Sequence, residues 1–203
     1  MLTIYGMSDS GNCYKPRLLL AKLGRPFRHV EVNSVSGETR TAGYLAKNPN
    51  GKVPLLELED GRLLAESNAI LLFLADGTRF VPSDAYARAL VHQWMFFEQY
   101  SHEPFVAVRR ALLKYPERAA QATPERMQAL LEGGSRALAV MEGQLAATPF
   151  IAGETMSVAD IALFAYTQDA AFAGYDMDRF PAVTGWLDRV AADPGHVPLG
   201  WVP

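Results

Sequence analysis

Near the start of the chain, in the run SDSGNCYK, Ser10, Asn12 and Cys13 stand within four residues of one another. Redox proteins carry C-x-x-C in such a loop, with the first cysteine exposed as the nucleophile and the second shielded by the following helix. Here the first position is Ser10 and only the second is a cysteine, so Cys13 reads as a small buried hydrophobe. Residues 10 to 17 join a loop to a helix, where unpaired N–H groups and the positive end of the helix dipole favour an anion, a thiolate included. Pro16 lacks an N–H and is expected in the first helical turn, which puts the helix start no earlier than about Asn12. Ser10 then lies in the loop at the mouth and Asn12 or Cys13 at the cap. On this motif alone Ser10 reads equally as a chemical group and as a plain N-terminal turn residue.

A second constellation lies in NPNGKVPLLELEDG followed by ESNAI. Val53-Pro54 opens a strand where a peptide-like ligand could pair with the backbone, and a cis Pro54 would expose the Val53 N–H and C=O. Glu66-Ser67 opens a helix, and Ser67 reads first as its N-cap.

The elements that must position these residues follow from hydrophobic period and turn chemistry. Leu2 to Tyr5 is a short strand ended by Gly6, Leu18 to Leu23 an apolar helical run closed by Gly24, and PFRHVEV a second strand. Val53 to Leu58, the Asp60-Gly61 turn and Leu63-Leu64 form a hairpin, and Ala69 to Leu74 a buried helix ending near Gly77. The order is β-α-β-α-β-β-α over residues 1–80. From residue 84 to 203 strand alternation disappears and helical patterns take over, starting with Tyr86, Leu90, Trp94, Phe97 and Tyr100 and punctuated by Pro104, Pro116, Pro124 and Pro149. His102 and Glu103 are expected on a solvated face. Ser157 and Asp160 make a near capping box with Met156 and Ile161 as its hydrophobic staple, and Pro181 opens a last amphipathic helix bearing Trp186.

The totals exclude several function classes. Nineteen basic against 22 acidic residues, scattered along the chain, leave a net charge of -3 and no nucleic-acid footprint. No apolar stretch reaches the length of a membrane span and the N-terminus lacks a signal-peptide pattern, so a cytoplasmic protein is expected. One cysteine cannot form an intramolecular disulfide, and with four scattered histidines it makes a Cys/His metal cage unexpected.

Taken together, SGNCYKPRLLL, NPNGKVPLLELEDGRLLAESNAI, MSVADI and FPAVTGWLDRV resemble the soluble glutathione transferase superfamily, in its order and spacing and across essentially the whole chain. The resemblance implies an α/β thioredoxin-like N-terminal domain, an all-α C-terminal helical domain contributing the electrophile pocket, and a homodimer. It implies glutathione as co-substrate and no metal. Pro54 would be a cis-proline, Val53 would pair its main chain with the cysteinyl part of glutathione, Glu66 and Ser67 would hold the γ-glutamyl end, and Lys52 would face the glycyl carboxylate. The Ser157–Asp160 box would be structural. Members with serine at the position of Ser10 activate the glutathione thiol itself, and bacterial members sharing N-x-x-K imply assistance from Asn12; Tyr5, at the end of the first strand, ranks third.

A serine suffices energetically. A thiol of pKa roughly 8.5 needs about 2.7 kcal/mol to fall by two units. One hydrogen bond to a charged group supplies about 1.5–3 kcal/mol and a helix N-terminus about 0.3–1 more. The expected reaction is therefore conjugation of the thiolate to a small hydrophobic electrophile lodged between the domains, with Met7, Phe105 and Arg109 lining the pocket. Glutathione-dependent disulfide reduction is the alternative, and a non-catalytic binding protein of the same fold ranks below both.

Overall fold

A computed structural model describes all residues, 1–203. The chain divides into two compact units, Met1–Asp76 together with Pro194–Pro203, and Gly77–Asp193.

The first unit is built on a four-stranded sheet of order β2-β1-β3-β4. Strand β1 (Leu2–Gly6) pairs in parallel with β2 (Phe27–Glu31) and antiparallel with β3 (Leu55–Glu57), which forms a hairpin with β4 (Leu63–Ala65). Helix α1 (Gly11–Lys22) makes the crossover between β1 and β2, since parallel neighbours need a long connection. Helix α2 (Ala42–Lys47) precedes β3, and α3 (Ser67–Ala75) follows β4 and packs along α1. Period-two alternation divides the sheet into two faces. Tyr5, Val30, Leu55 and Ala65 gather on one face around Val32 and Tyr44 of α2. Ile4 and Leu56, paired neighbours with no exposed surface, point to the other. At the hairpin turn Gly61 adopts φ 84, a conformation that favours glycine.

The second unit is helical: α4 (Ala85–Phe97), α5 (Glu103–Lys114), α6 (Pro124–Leu145), α7 (Val158–Thr167) and α8 (Pro181–Ala192). Between α4 and α5, Glu98–His102 form a π-helical turn, and Pro104 sits in the first turn of α5. This interruption turns His102 inward: against the expected solvated face it has no exposed surface, and its ring bonds to Thr167 Oγ1 at 3.0 Å. Of the α4 aromatic series, Trp94 is buried edge-on to Phe97, whereas Tyr86 and Tyr100 are exposed.

Helix α7 is buried at every position, and its capping box organises the unit. Asp160, itself fully buried, accepts the Ser157 N–H and hydroxyl through Oδ2 at 2.8 and 3.0 Å. Through Oδ1 it accepts the Ile151 N–H at 2.8 Å and the Trp186 indole N–H of α8 at 2.9 Å. Burial pushes its carboxyl pKa upward, and these donors oppose the rise. One carboxylate therefore joins a loop, a helix start and a neighbouring helix. Replacing it strands several buried donors at once, each costing about 1–3 kcal/mol. Asp160→Ala is expected to lose about 3–5 kcal/mol of stability in urea unfolding, and a loss below about 1 kcal/mol would refute this role.

Candidate functional site

Ser10 is the N-cap of α1, with extended backbone (φ -84, ψ 128), and its oxygen accepts the Cys13 N–H. At 3.5 Å this is a long contact, and it leaves the hydroxyl proton as a donor. The cap thus falls on Ser10 itself rather than on Asn12 or Cys13, and the helix begins at Gly11. Pro16 stands in the second helical turn, not the first. Its ring is accommodated inside α1, where its missing N–H removes one rung of the ladder.

The loop leading to Ser10 is held from several sides. The Ser8 N–H donates to both oxygens of Glu31 at 3.1 Å, the Ser10 N–H to the Met7 carbonyl at 3.3 Å, and Ser34 O–H to Met7 Sδ at 3.0 Å.

Asn12 and Ser67, expected from separate motifs, meet directly: Ser67 O–H donates to Asn12 Oδ1 at 3.2 Å. Lys15 closes the group from one turn further along α1. Its ammonium, with no exposed surface, donates to Ser67 Oγ and Asn68 Oδ1, each at 3.3 Å. The N-terminal turns of α1 and α3 are thereby tied together, and both present N–H groups suited to an anion. Ser67 is the first residue of α3 and not its cap. Glu66 holds that position with a left-handed φ of 67 and no side-chain cap bond, which leaves its carboxylate uncommitted to the helix.

The Val53-Pro54 bond is cis. Just before it, the Lys52 carbonyl accepts Tyr44 O–H at 2.7 Å and Asn48 Nδ2 at 2.8 Å, while the Lys52 side chain is exposed. Pro54 lies near Gly6: a Cβ at Gly6 would be 3.9 Å from Pro54 Cα and 2.6 Å from Cys13 Sγ. Only glycine lets the end of β1, the cis-proline and Cys13 crowd together.

Cys13 has no exposed surface, and burial pushes its thiol pKa up to about 11, outweighing the opposing Ser10 hydrogen bond. It is a packing residue. Tyr5 is engaged elsewhere: its hydroxyl donates to Glu57 Oε2 at 2.6 Å, and Lys47 shares that oxygen at 3.1 Å. In the helical unit, Phe105 lies against Gly133, and Arg109 donates to the carbonyls of Ala173 and Met127. Both side chains are engaged in the packing of that unit.

Sequence reasoning missed Lys15 and Arg17 as parts of this region. The signal was present: Lys15 and Arg17 stand directly before the apolar run Leu18-Leu19-Leu20, and a cation buried beside such a run needs acceptors.

Two family models match the chain, Glutathione S-transferase, N-terminal domain, over residues 9–76 and Glutathione S-transferase, C-terminal domain, over residues 124–189. Among solved structures, a glutathione S-transferase from Pseudomonas fluorescens is 50% identical, with TM-score 0.94 and 98% of each chain covered. A glutathione transferase from Burkholderia graminis, solved with two glutathione molecules bound per subunit, is 27% identical at TM-score 0.83, covering 96% of this chain and 85% of that one. The Escherichia coli disulfide-bond oxidoreductase YfcG is 26% identical over 201 residues, covering 96% of this chain and 92% of its own. With both halves matched in order and half of all residues shared with a solved member, the chain belongs to the glutathione S-transferase family.

Proposed function

We propose that this protein is a glutathione transferase in which Ser10 donates a hydrogen bond to the thiolate of bound glutathione, assisted by Asn12. The observation that carries the reading is the Ser10 hydroxyl at the N-cap of α1, two residues before Asn12, which is tied with Lys15 to Ser67 at the start of α3. Val53, before the cis Pro54, offers its main chain to the cysteinyl part. Glu66 and Ser67 hold the γ-glutamyl end and Lys52 faces the glycyl carboxylate. The thiolate sulfur forms a bond to the electrophilic carbon of a small hydrophobic substrate, whose leaving group departs with the displaced electron pair. No protein nucleophile takes part.

Removing the donor raises the thiol pKa, so the thiolate, and with it the activity, appears only at higher pH. Ser10→Ala is expected to lower kcat/KM for a halogenated aromatic electrophile about 10–100-fold near neutral pH and to shift its rising limb alkaline. Full activity with an unmoved pH profile would exclude Ser10 from the role.

The kinship to a disulfide-bond oxidoreductase favours a second reaction on the same ligand, in which two glutathione thiols are oxidised to glutathione disulfide while a substrate disulfide is reduced to two thiols. It needs no protein thiol, in keeping with the buried Cys13. Assaying one preparation on a small disulfide and on the aromatic electrophile separates the two, and inertness to disulfides rejects this second reading. Cys13→Ala is expected to keep at least about half the activity in either assay, since a small buried hydrophobe is replaced by another; its abolition in a folded variant would return Cys13 to the chemistry.

Homodimer formation is part of the proposal. Tyr86, Phe96 and Tyr100, exposed by 74%, 73% and 86%, recur at helical spacing along α4 and the π turn, an apolar stripe of the kind that marks an interface. Sedimentation is expected to give twice the chain mass, and a monomer at micromolar concentration would refute it.

A further inference from the structure

The last ten residues, Pro194–Pro203, belong to the first unit and run beside α1 as an irregular strap. Gly195 lies so close to the helix that a Cβ there would stand 2.7 Å from Lys22 Cα. Tyr14 O–H donates to the Val197 carbonyl at 2.6 Å, and Arg17 Nη2 to the Leu199 carbonyl at 2.8 Å. Beyond them the Trp201 ring meets Phe27 of β2 edge-on, with centroids 5.9 Å apart.

The same Arg17 nitrogen donates its other proton to the carbonyl of Ser8, at 2.5 Å. Ser8 stands two residues before Ser10, and its N–H is held from the opposite side by Glu31. Arg17 has no exposed surface, and its Nε and Nη1 are buried without a hydrogen-bond partner. The two carbonyls on Nη2 are therefore its direct compensation for leaving water, one from the loop and one from the strap. Neither can move without disturbing the other's hold on the guanidinium.

We propose that Arg17 is a positioning residue that couples the C-terminal strap to the loop carrying Ser10, so that the end of the chain sets how the Ser10 hydroxyl is presented. The catalytic part of this inference rests on the assignment of Ser10 made above; the mechanical coupling does not. A misplacement of about 1 Å in a reacting geometry can reduce rate up to about 10²-fold, so a loosened loop is expected to be visible in the chemistry.

Two full-length variants test it. Trp201→Ala releases the strap from Phe27 without touching Arg17 or the loop. Arg17→Lys keeps the charge but loses the planar fork. In both, hydrogen exchange is expected to accelerate about fivefold or more over residues 8–13, while α3 keeps its rate. In both, the thiol of bound glutathione, followed by thiolate absorbance, is expected to titrate about one pH unit higher, a tenfold loss of thiolate stabilisation. Unchanged exchange over residues 8–13 in both variants would overturn the coupling, as would acceleration spread evenly over the whole first unit, the mark of a merely structural strap. Faster loop exchange with an unmoved thiol titration would uphold the coupling and count instead against Ser10 as the thiolate's donor.

Discussion

Helix α1 has almost no exposed surface, and much of the first unit answers to that fact. From Cys13 to Leu20 every residue is buried, yet the stretch contains a tyrosine, a lysine and an arginine. A cation without water must find acceptors or lose its place in the helix. Lys15 finds them on α3, Arg17 on the loop and the strap, and Tyr14 on the strap again. The polar groups of one helix thus hold the segments that gather round it, and two of those, the loop and the start of α3, carry residues of the proposed site.

The helical unit solves the same problem with opposite charge. Asp160 is a buried anion surrounded by donors from three segments, as Lys15 and Arg17 are buried cations seeking oxygens. Asp160 lies at a helix start, where backbone N–H groups are not yet spent on the helix, whereas Lys15 and Arg17 stand in the second turn of α1 and reach oxygens outside it. Both units are therefore cross-braced by a few charged groups laid over an apolar core.

What the sequence made legible and what it hid divide along physical lines. Features encoded locally were readable: the Asp60-Gly61 hairpin, the Ser157–Asp160 cap, Pro181 at the start of α8 and the burial of Cys13 all follow from neighbours in the chain. The cap of α1 lies two residues before Asn12, because Pro16 is held in the second turn rather than the first, and the cap of α3 lies one residue before Ser67, because Glu66 takes an angle that non-glycine residues seldom adopt. His102 was misjudged because a π turn rotates the residues after it relative to an α-helical projection. The partners of Lys15 lie more than 50 residues away and the strap acceptor of Arg17 182 residues away, and no local pattern encodes them.

The strap also reverses the order in which the two units can be finished on the ribosome. Although the sheet is synthesised first, the segment that covers α1 and supplies an acceptor for Arg17 comes only after residue 193. The helical unit, second in sequence, is the first to have all of its residues available, because its own boundaries fall inside the chain. The N-terminal unit stays incomplete until Pro194–Pro203 have been made, so α1 waits on the whole helical unit before the segment that covers it exists.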